Sequence, residues 1–346
     1  MKAAAAVTSV DGLVEKDLVD GAAAESLRPV EEAFAVRLTP EVLQQIKALE
    51  LGDPVFAQYV PQLRELDHWA DELDDPIGDD AHEKVKGLVH RYPDRVLLKP
   101  TLTCAVYCRF CFRREKVGGG APGLTEAEMG AALDYIAAHS EIREVILTGG
   151  DPLVLSPRRL EAIVARLAAI AHVKLLRFHT RVPLVEPQRI SPALLKVLRL
   201  HPATRVVIHV NHEAEISPAV AEALAAMVDS GVPVLSQSVL LKGVNDDAAT
   251  LAALFQRLAA LRVSPYYLHH LDKARGTAHF RISLKKGREL MAALRGRISG
   301  FALPAYVIDI PGGFGKVPVN ADHVLEISPG RYEIADPWGR RHRYSE

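Results

Sequence analysis

Apolar residues along this chain fall into short runs that alternate with longer amphipathic stretches, and this alternation dominates from about residue 90 onward. Runs rich in β-branched and aliphatic residues occur at 95–100 (RVLLKP), 144–149 (EVILTG), 173–180 (VKLLRFHT), 205–211 (RVVIHVN), 233–241 (PVLSQSVLL), 265–270 (PYYLHH) and 304–310 (PAYVIDI). Between them, stretches at 124–139, 156–171, 191–201, 217–231, 246–263 and 283–298 repeat apolar residues at helical spacing. Ser or Asp stands at the start of most of these, where a side-chain oxygen caps the first turn. Repeated strand–helix units of this size predict a parallel sheet covered by helices. Six such units are two short of a closed eight-unit barrel, so the pattern predicts an α/β fold of the partial (β/α)6 barrel type. Ligands are then expected at the C-terminal ends of the strands.

The first 85 residues differ. LTPEVLQQIKALE (38–50) is amphipathic and opens on Thr39-Pro40, a cap and first-turn pair. The acidic stretch DELDDPIGDD (71–80) reads as an exposed linker. The pattern divides the chain into a helical N-terminal extension and linker (1–85), a partial barrel (86–310) and a C-terminal segment (311–346).

Composition narrows the partners. Hydrophobic residues make up 49% and charged residues 25% of the 346, as in ordinary globular proteins, and 42 basic residues balance 43 acidic ones. Net charge therefore favours neither nucleic acid nor membrane as a partner. The N-terminal apolar run is short and broken by Asp11 and Glu15, a poor secretion signal. The three cysteines lie within eight positions. An odd, tight group argues against a disulfide framework and for a reducing compartment, so the expected location is cytoplasmic.

Those cysteines, Cys104, Cys108 and Cys111, follow the first strand of the alternation as T-C-A-V-Y-C-R-F-C-F-R. Clustered thiolates select zinc or iron–sulfur chemistry. Structural zinc wants four ligands, and no fourth cysteine or histidine lies at zinc-finger distance. A four-iron cluster held by three thiolates, with one iron open, fits better, against zinc or chance clustering as alternatives. The second strand ends LTGGDPL (147–153). There Gly149 and Gly150 permit close approach to the backbone and Asp151 can accept from an ammonium, unless the segment is simply a strand-to-loop turn. His209 and Asn211 end the fourth strand and serve equally well as ligand contacts or structural residues. Lys316 follows a glycine-rich run, DIPGGFGK; a desolvated lysine there forms a Schiff base, whereas a surface lysine in a turn is the bland alternative. Arg91 and Arg95 could clamp a phosphate or be a solvated basic pair.

The C-x3-C-x-aromatic-C motif, with Phe110 as its aromatic residue, resembles the signature of the radical S-adenosylmethionine superfamily. Further segments resemble lysine 2,3-aminomutases in the same order: HRYPDRVLL, CAVYCRFCFRR, LTGGDPL, PQRI, QSVLLKGVND, PYYLHHLD, HFR and IDIPGGFGKVPV. The resemblance covers about residue 50 to the C-terminus. It implies a [4Fe-4S] cluster on the three cysteines and S-adenosylmethionine at Gly149, Gly150, Asp151, His209 and Asn211. It also implies pyridoxal 5′-phosphate on Lys316, with its phosphate at Arg91 and Arg95. Arg113 would then take the substrate carboxylate, and Asp272 and Asp309 the side-chain ammonium of lysine. Two carboxylates at one barrel mouth repel unless a cation joins them, which selects against acidic substrates.

The implied reaction moves the amino group of L-lysine from C2 to C3, with electrons from a donor such as flavodoxin or ferredoxin. Two features depart from the pattern. No cysteine follows Cys111, so the zinc site of full-length aminomutases is not expected, and a dimer is expected rather than their interlocked tetramer. His269 stands where those enzymes carry Tyr. A sister group that makes β-lysine for elongation factor P is similarly short but differs in the IDIPGGFGK segment. An aminomutase for another amino acid, one dedicated to elongation factor P, and a non-catalytic iron–sulfur scaffold remain the alternatives.

Overall fold

A computed structural model describes residues 5–118, 123–320, 323–336 and 338–345. Residues 1–4 of the N-terminal run and Glu346 of the tail lie outside the described residues. Four short helices come first: α1 (Val10–Val14), α2 (Gly21–Ala33), α3 (Pro40–Gln45) and α4 (Pro54–Tyr59). The sheet then begins with β1 (Glu83–Val85), β2 (Leu88–Tyr92) and β3 (Arg95–Thr101). It continues through α5 (Glu126–Ala138), β4 (Glu144–Gly149), α6 (Pro157–Ala168), β5 (Leu175–Thr180), α7 (Val182–Val185), α8 (Pro192–Leu198), β6 (Thr204–His209), α9 (Pro218–Asp229), β7 (Val234–Leu240), α10 (Ala248–Ala260), β8 (Ser264–His270), α11 (Leu284–Leu294), β9 (Ala305–Asp309) and β10 (Lys316–Pro318). A separate antiparallel sheet of β11 (Val324–Ser328), β12 (Arg331–Ala335) and β13 (Arg341–Ser345) ends the chain.

Among the described residues the main sheet has ten strands in chain order, and its two ends do not pair. Every neighbouring pair from β3 to β9 is parallel; β1, β2 and β10 are antiparallel additions at the edges. This is the partial barrel expected from the alternation. Several strands alternate in burial, β5 and β7 most regularly, with one face packed under the helices and the other turned to the lumen. The expected caps form. Thr125, Ser156, Ser191, Ser217, Asp247 and Ser283 each accept a backbone N–H at the start of the following helix. Among the described residues no helix is long and apolar enough to cross a membrane.

Three local expectations change. The helix opened by Thr39 stops at Gln45, because the Asp53 carboxylate accepts from Lys47 and Ala48 and turns the chain away (2.8 and 3.0 Å). The β1–β2 hairpin replaces what was read as the end of a helical extension. The acidic stretch 71–80 is only partly an exposed linker: Pro76, Ile77, Gly78 and Asp79 are buried. Asp79 is held there by Arg113, which donates to it at 2.8 Å, and by Arg91 at 3.3 Å.

Candidate active site

The cysteine loop follows β3 and has little secondary structure of its own, so other segments hold it. Backbone N–H groups of Tyr107 and Arg109 donate to Arg37 and Gln58 carbonyls (3.1 and 2.9 Å), and the Arg37 side chain returns a bond to Ala105. On the other side, Gly150 and Asp151 donate to the carbonyls of Thr101 and Thr103 (2.8 and 2.9 Å). A Cβ at Gly149 would stand 2.5 Å from Thr101 O, and one at Gly150 would stand 2.2 Å from Thr103 O. The paired glycines are thus required by the cysteine loop itself, in addition to any ligand.

Cys104, Cys108 and Cys111 line one cavity of about 150 Å³ together with Gly149, Gly150, Asp151 and Arg181. Burial pushes all three thiols up, Cys108 to about 11, while the Arg181 guanidinium donates to Cys108 Sγ at 3.2 Å. Three thiols lining one cavity fit the thiolate donor set of an iron–sulfur cluster. Iron binding would have to displace the thiol protons.

Two residues expected at the S-adenosylmethionine site are engaged internally. Asp151 Oδ1 accepts from Leu153 N–H and Thr180 Oγ1 (3.0 and 2.7 Å), and Oδ2 from Thr180, Arg181 and Val182. These bonds join the end of β4 to the end of β5 and engage the carboxylate within the fold. Asn211 donates to Gln58 Oε1 and accepts from Val239 N–H (2.9 and 2.8 Å). It too is a structural tie. His209 faces the cavity with Nε2 against the Gln237 amide at 2.6 Å; burial pushes it down to about 3, so it is neutral.

A larger cavity of about 630 Å³ fills the barrel lumen and shares Arg113, His209, His269 and Asp272 with the smaller one. It has the size of a small-molecule site. Arg91 on β2, Arg95 on β3, Asp309 on β9 and Lys316 on β10 line it, so the residues expected to serve the pyridoxal phosphate and substrate meet there. The pairing of β9 with β10 sets Lys316 opposite Asp309, and the ammonium donates to Asp309 Oδ2 and approaches His269 Nδ1 at 3.1 Å. Arg95 stacks on Tyr92 at 3.7 Å and bonds Asp94. Arg91 bonds Asp79, lies 4.0 Å from Asp309 and keeps a buried Nε–H without a partner. A lysine amine, two guanidinium groups and an unsatisfied N–H in a cavity of this size fit pyridoxal phosphate.

The two aspartates are in different states. Asp309 resists its own burial: His269 and Lys316 beside it hold its carboxyl well below the usual range. Asp272 has no donor among the described residues, and burial together with Asp309 pushes it up to about 7. The expected pair therefore shares a cavity, but Lys316 already occupies Asp309.

Other residues of the site were not anticipated. Asp79 bridges Arg91 and Arg113; Arg181 touches Cys108; Arg177 and His179 enter the lumen from β5. A signal existed for the last two. In VKLLRFHT a charged and a titratable residue recur at period two inside a run otherwise fit for burial, so one face of that strand meets something polar. Asp79 had no such signal, since its role depends on where an irregular segment crosses the mouth.

Comparison with known proteins fits this geometry. Residues 98–255 match the Radical SAM superfamily, and residues 291–335 match the Lysine-2,3-aminomutase C-terminal family. The chain is 42% identical to L-lysine 2,3-aminomutase of Methanococcus maripaludis, over 87% of this chain and 70% of that protein. It is 40% identical to a putative L-lysine 2,3-aminomutase of Aquifex aeolicus, over 91% and 88%. It is also 35% identical to glutamate 2,3-aminomutase of Clostridioides difficile, over 92% and 75%.

Proposed function

Given that this chain belongs to the lysine 2,3-aminomutase family of radical S-adenosylmethionine enzymes, and so is an isomerase, we propose that it moves the α-amino group of L-lysine to C3, with pyridoxal phosphate on Lys316. When bound, the cluster and S-adenosylmethionine supply one-electron hydrogen abstraction, and pyridoxal phosphate supplies the carbonyl that carries the migrating nitrogen. The chain's own residues position and select. Arg113, on the wall between the two cavities, is the group for the substrate carboxylate. Arg91 and Arg95 offer charge to a phosphate. Ile77, Val89, Val96, Ile146 and Val307 line the lumen and keep water from a reactive radical.

The observation that carries the choice of lysine is Asp272, a carboxyl in the cavity wall to which none of the described residues donates. A side-chain ammonium there gains a charge-assisted hydrogen bond and restores ionisation, whereas the carboxylate of glutamate would repel it. Asp309 lines the same cavity and would be the second carboxylate for that cation in place of its present bond to Lys316.

The test is anaerobic incubation of the reconstituted protein with reductant, S-adenosylmethionine and either lysine or glutamate. Lysine should give β-lysine, with 5′-deoxyadenosine detectable, and Asp272→Asn should raise KM for lysine by roughly 100-fold, the loss of one hydrogen bond to a charged group. Turnover of glutamate with lysine untouched would overturn the substrate. Lys316→Ala should abolish the cofactor's visible absorbance; an unchanged spectrum would remove Lys316 from that role.

A further inference from the structure

Lys316 Nζ, His269 Nδ1 and Asp309 Oδ2 form a closed triangle at the end of the lumen. The amine lies 3.1 Å from His269 and bonds Asp309, and His269 Nδ1 lies 3.6 Å from the same Asp309 oxygen. Pairing of β8 with β9 and of β9 with β10 fixes all three on adjacent strands. Lysine ordinarily keeps its proton at neutral pH, yet only the free amine attacks a carbonyl. Something in the triangle has to take that proton.

Asp309 is the weaker acceptor, because its neighbours hold it ionised far below neutral pH. His269 is pushed down by burial and by the charge of Lys316, with Asp309 opposing, so it stands neutral, and in the tautomer that carries its hydrogen on Nε2 the Nδ1 lone pair faces the amine. The part of that push due to Lys316 disappears as the proton crosses, since the repelling charge is the one transferred. Asp309 remains beside the new imidazolium, and the net charge of the triangle is the same before and after. Of the other titratable groups around His269, Tyr267 sits 5.6 Å away on the same strand, and burial keeps His179 and His209 neutral. Arg113 and Asp272 line the same cavity with opposite charge types. His269 Nε2 is buried and has no partner among the described residues, in a residue that lines the lumen.

We propose that His269 is a catalytic proton acceptor for Lys316, an inference that rests on Lys316 being the pyridoxal phosphate lysine. The ammonium gives one proton to Nδ1, and the freed nitrogen bonds to the aldehyde carbon as the C–O π pair moves to oxygen. The oxygen leaves as water with the proton from His269 and a second from nitrogen. Ammonium and aldehyde thus become a protonated C=N bond and water, and the reverse sequence releases the lysine when substrate amine displaces it.

The full-length, cofactor-free protein is mixed with pyridoxal phosphate, and the visible absorbance of the C=N bond is followed from pH 6 to 10. His269→Gln should slow its formation at pH 7 on the order of 100-fold, with the gap closing towards pH 10 as free amine accumulates. His269→Ala should be slow and recover with added imidazole. Equal final absorbance in all forms at pH 10 shows that the fold and Lys316 are intact. A His269→Gln protein with the wild-type rate and pH profile, or a His269→Ala protein that imidazole does not accelerate, would refute the role. Absence of the band in the wild-type protein, or its persistence in Lys316→Ala, would instead overturn the cofactor lysine itself.

Discussion

A carboxyl group raised to about 7, as Asp272 is by burial beside Asp309, ties ligand selection to folding. In the unfolded chain an aspartate titrates near 3.9. Between about pH 4 and 7 the folded protein therefore holds a proton that the unfolded chain has released, and stability falls as pH rises through that window. Above it the loss is complete. Asp272→Asn has no proton to lose, so the cofactor-free variant should gain over the wild type, from nothing near pH 4 to a few kcal/mol at pH 8. Urea unfolding at both pH values measures the difference; parallel behaviour of the two proteins would mean that Asp272 is ionised in the empty cavity. Sequence makes such residues visible but not their state. Lys316 stood out because it follows a glycine-rich run, and Asp272 and Asp309 through the resemblance to aminomutases. That Lys316 engages Asp309 while Asp272 has no donor depends on the β9–β10 register. Asp151 and Asn211 show the same limit: a polar residue at a strand end meets a ligand or ties two segments, and the ties these two make depend on donors and acceptors far away in sequence.

The cysteine loop shows what the N-terminal helices contribute at the scale of elements. Glu65 is wholly buried and receives Arg109 in two bonds, 3.0 Å from Nε and 2.6 Å from Nη2, and Arg114 beside it. Arg109 also reaches Ala35 O at 2.9 Å, and Arg114 reaches Gly276 O at 2.9 Å and stacks on Phe34. The two arginines follow Cys108 and Cys111 in sequence, so one carboxylate fixes the backbone on which the thiols stand. Glu65→Ala would leave two buried guanidinium groups unpaired, at a cost of about 3–5 kcal/mol. A lowered denaturation midpoint and fewer iron atoms per chain after reconstitution are expected; an unchanged iron content would separate Glu65 from the loop. The seven parallel strands were legible because buried strands and capped amphipathic helices carry strong local patterns. The β1–β2 hairpin was not, since LVHRY interleaves His and Arg with its apolar residues. The support from Glu65 was invisible for another reason: a lone Glu in a short helical turn has no local mark of burial.

Because the main sheet stays open, closure of the whole molecule falls to contacts between its first and last segments. The Lys316 N–H donates to Tyr92 Oη at 2.8 Å, and Gly312 N–H donates to Pro76 O at 3.3 Å, which joins the crossing segment to the glycine-rich run before Lys316. At that crossing Gly78 has φ +68°, and a Cβ there would stand 2.6 Å from Gly313 Cα. Neither backbone can yield without moving Asp79 from Arg91 or Lys316 from Asp309, so the seam is coupled to the site. Gly78→Ala adds the left-handed strain of a non-glycine residue, about 1–2 kcal/mol, and a clash that opens the seam before it unfolds the sheet. Hydrogen exchange at the Lys316 amide should accelerate at least about tenfold, the equivalent of 1.4 kcal/mol of local opening, and pyridoxal phosphate should bind correspondingly more weakly. Amides of β4 to β8 should keep their protection, because their ladders lie away from the seam. If the Lys316 amide stayed as protected as in the wild type, the two ends would not be joined through Gly78, and the lumen would owe its closure to the Arg91–Asp309 and Tyr92–Lys316 contacts alone.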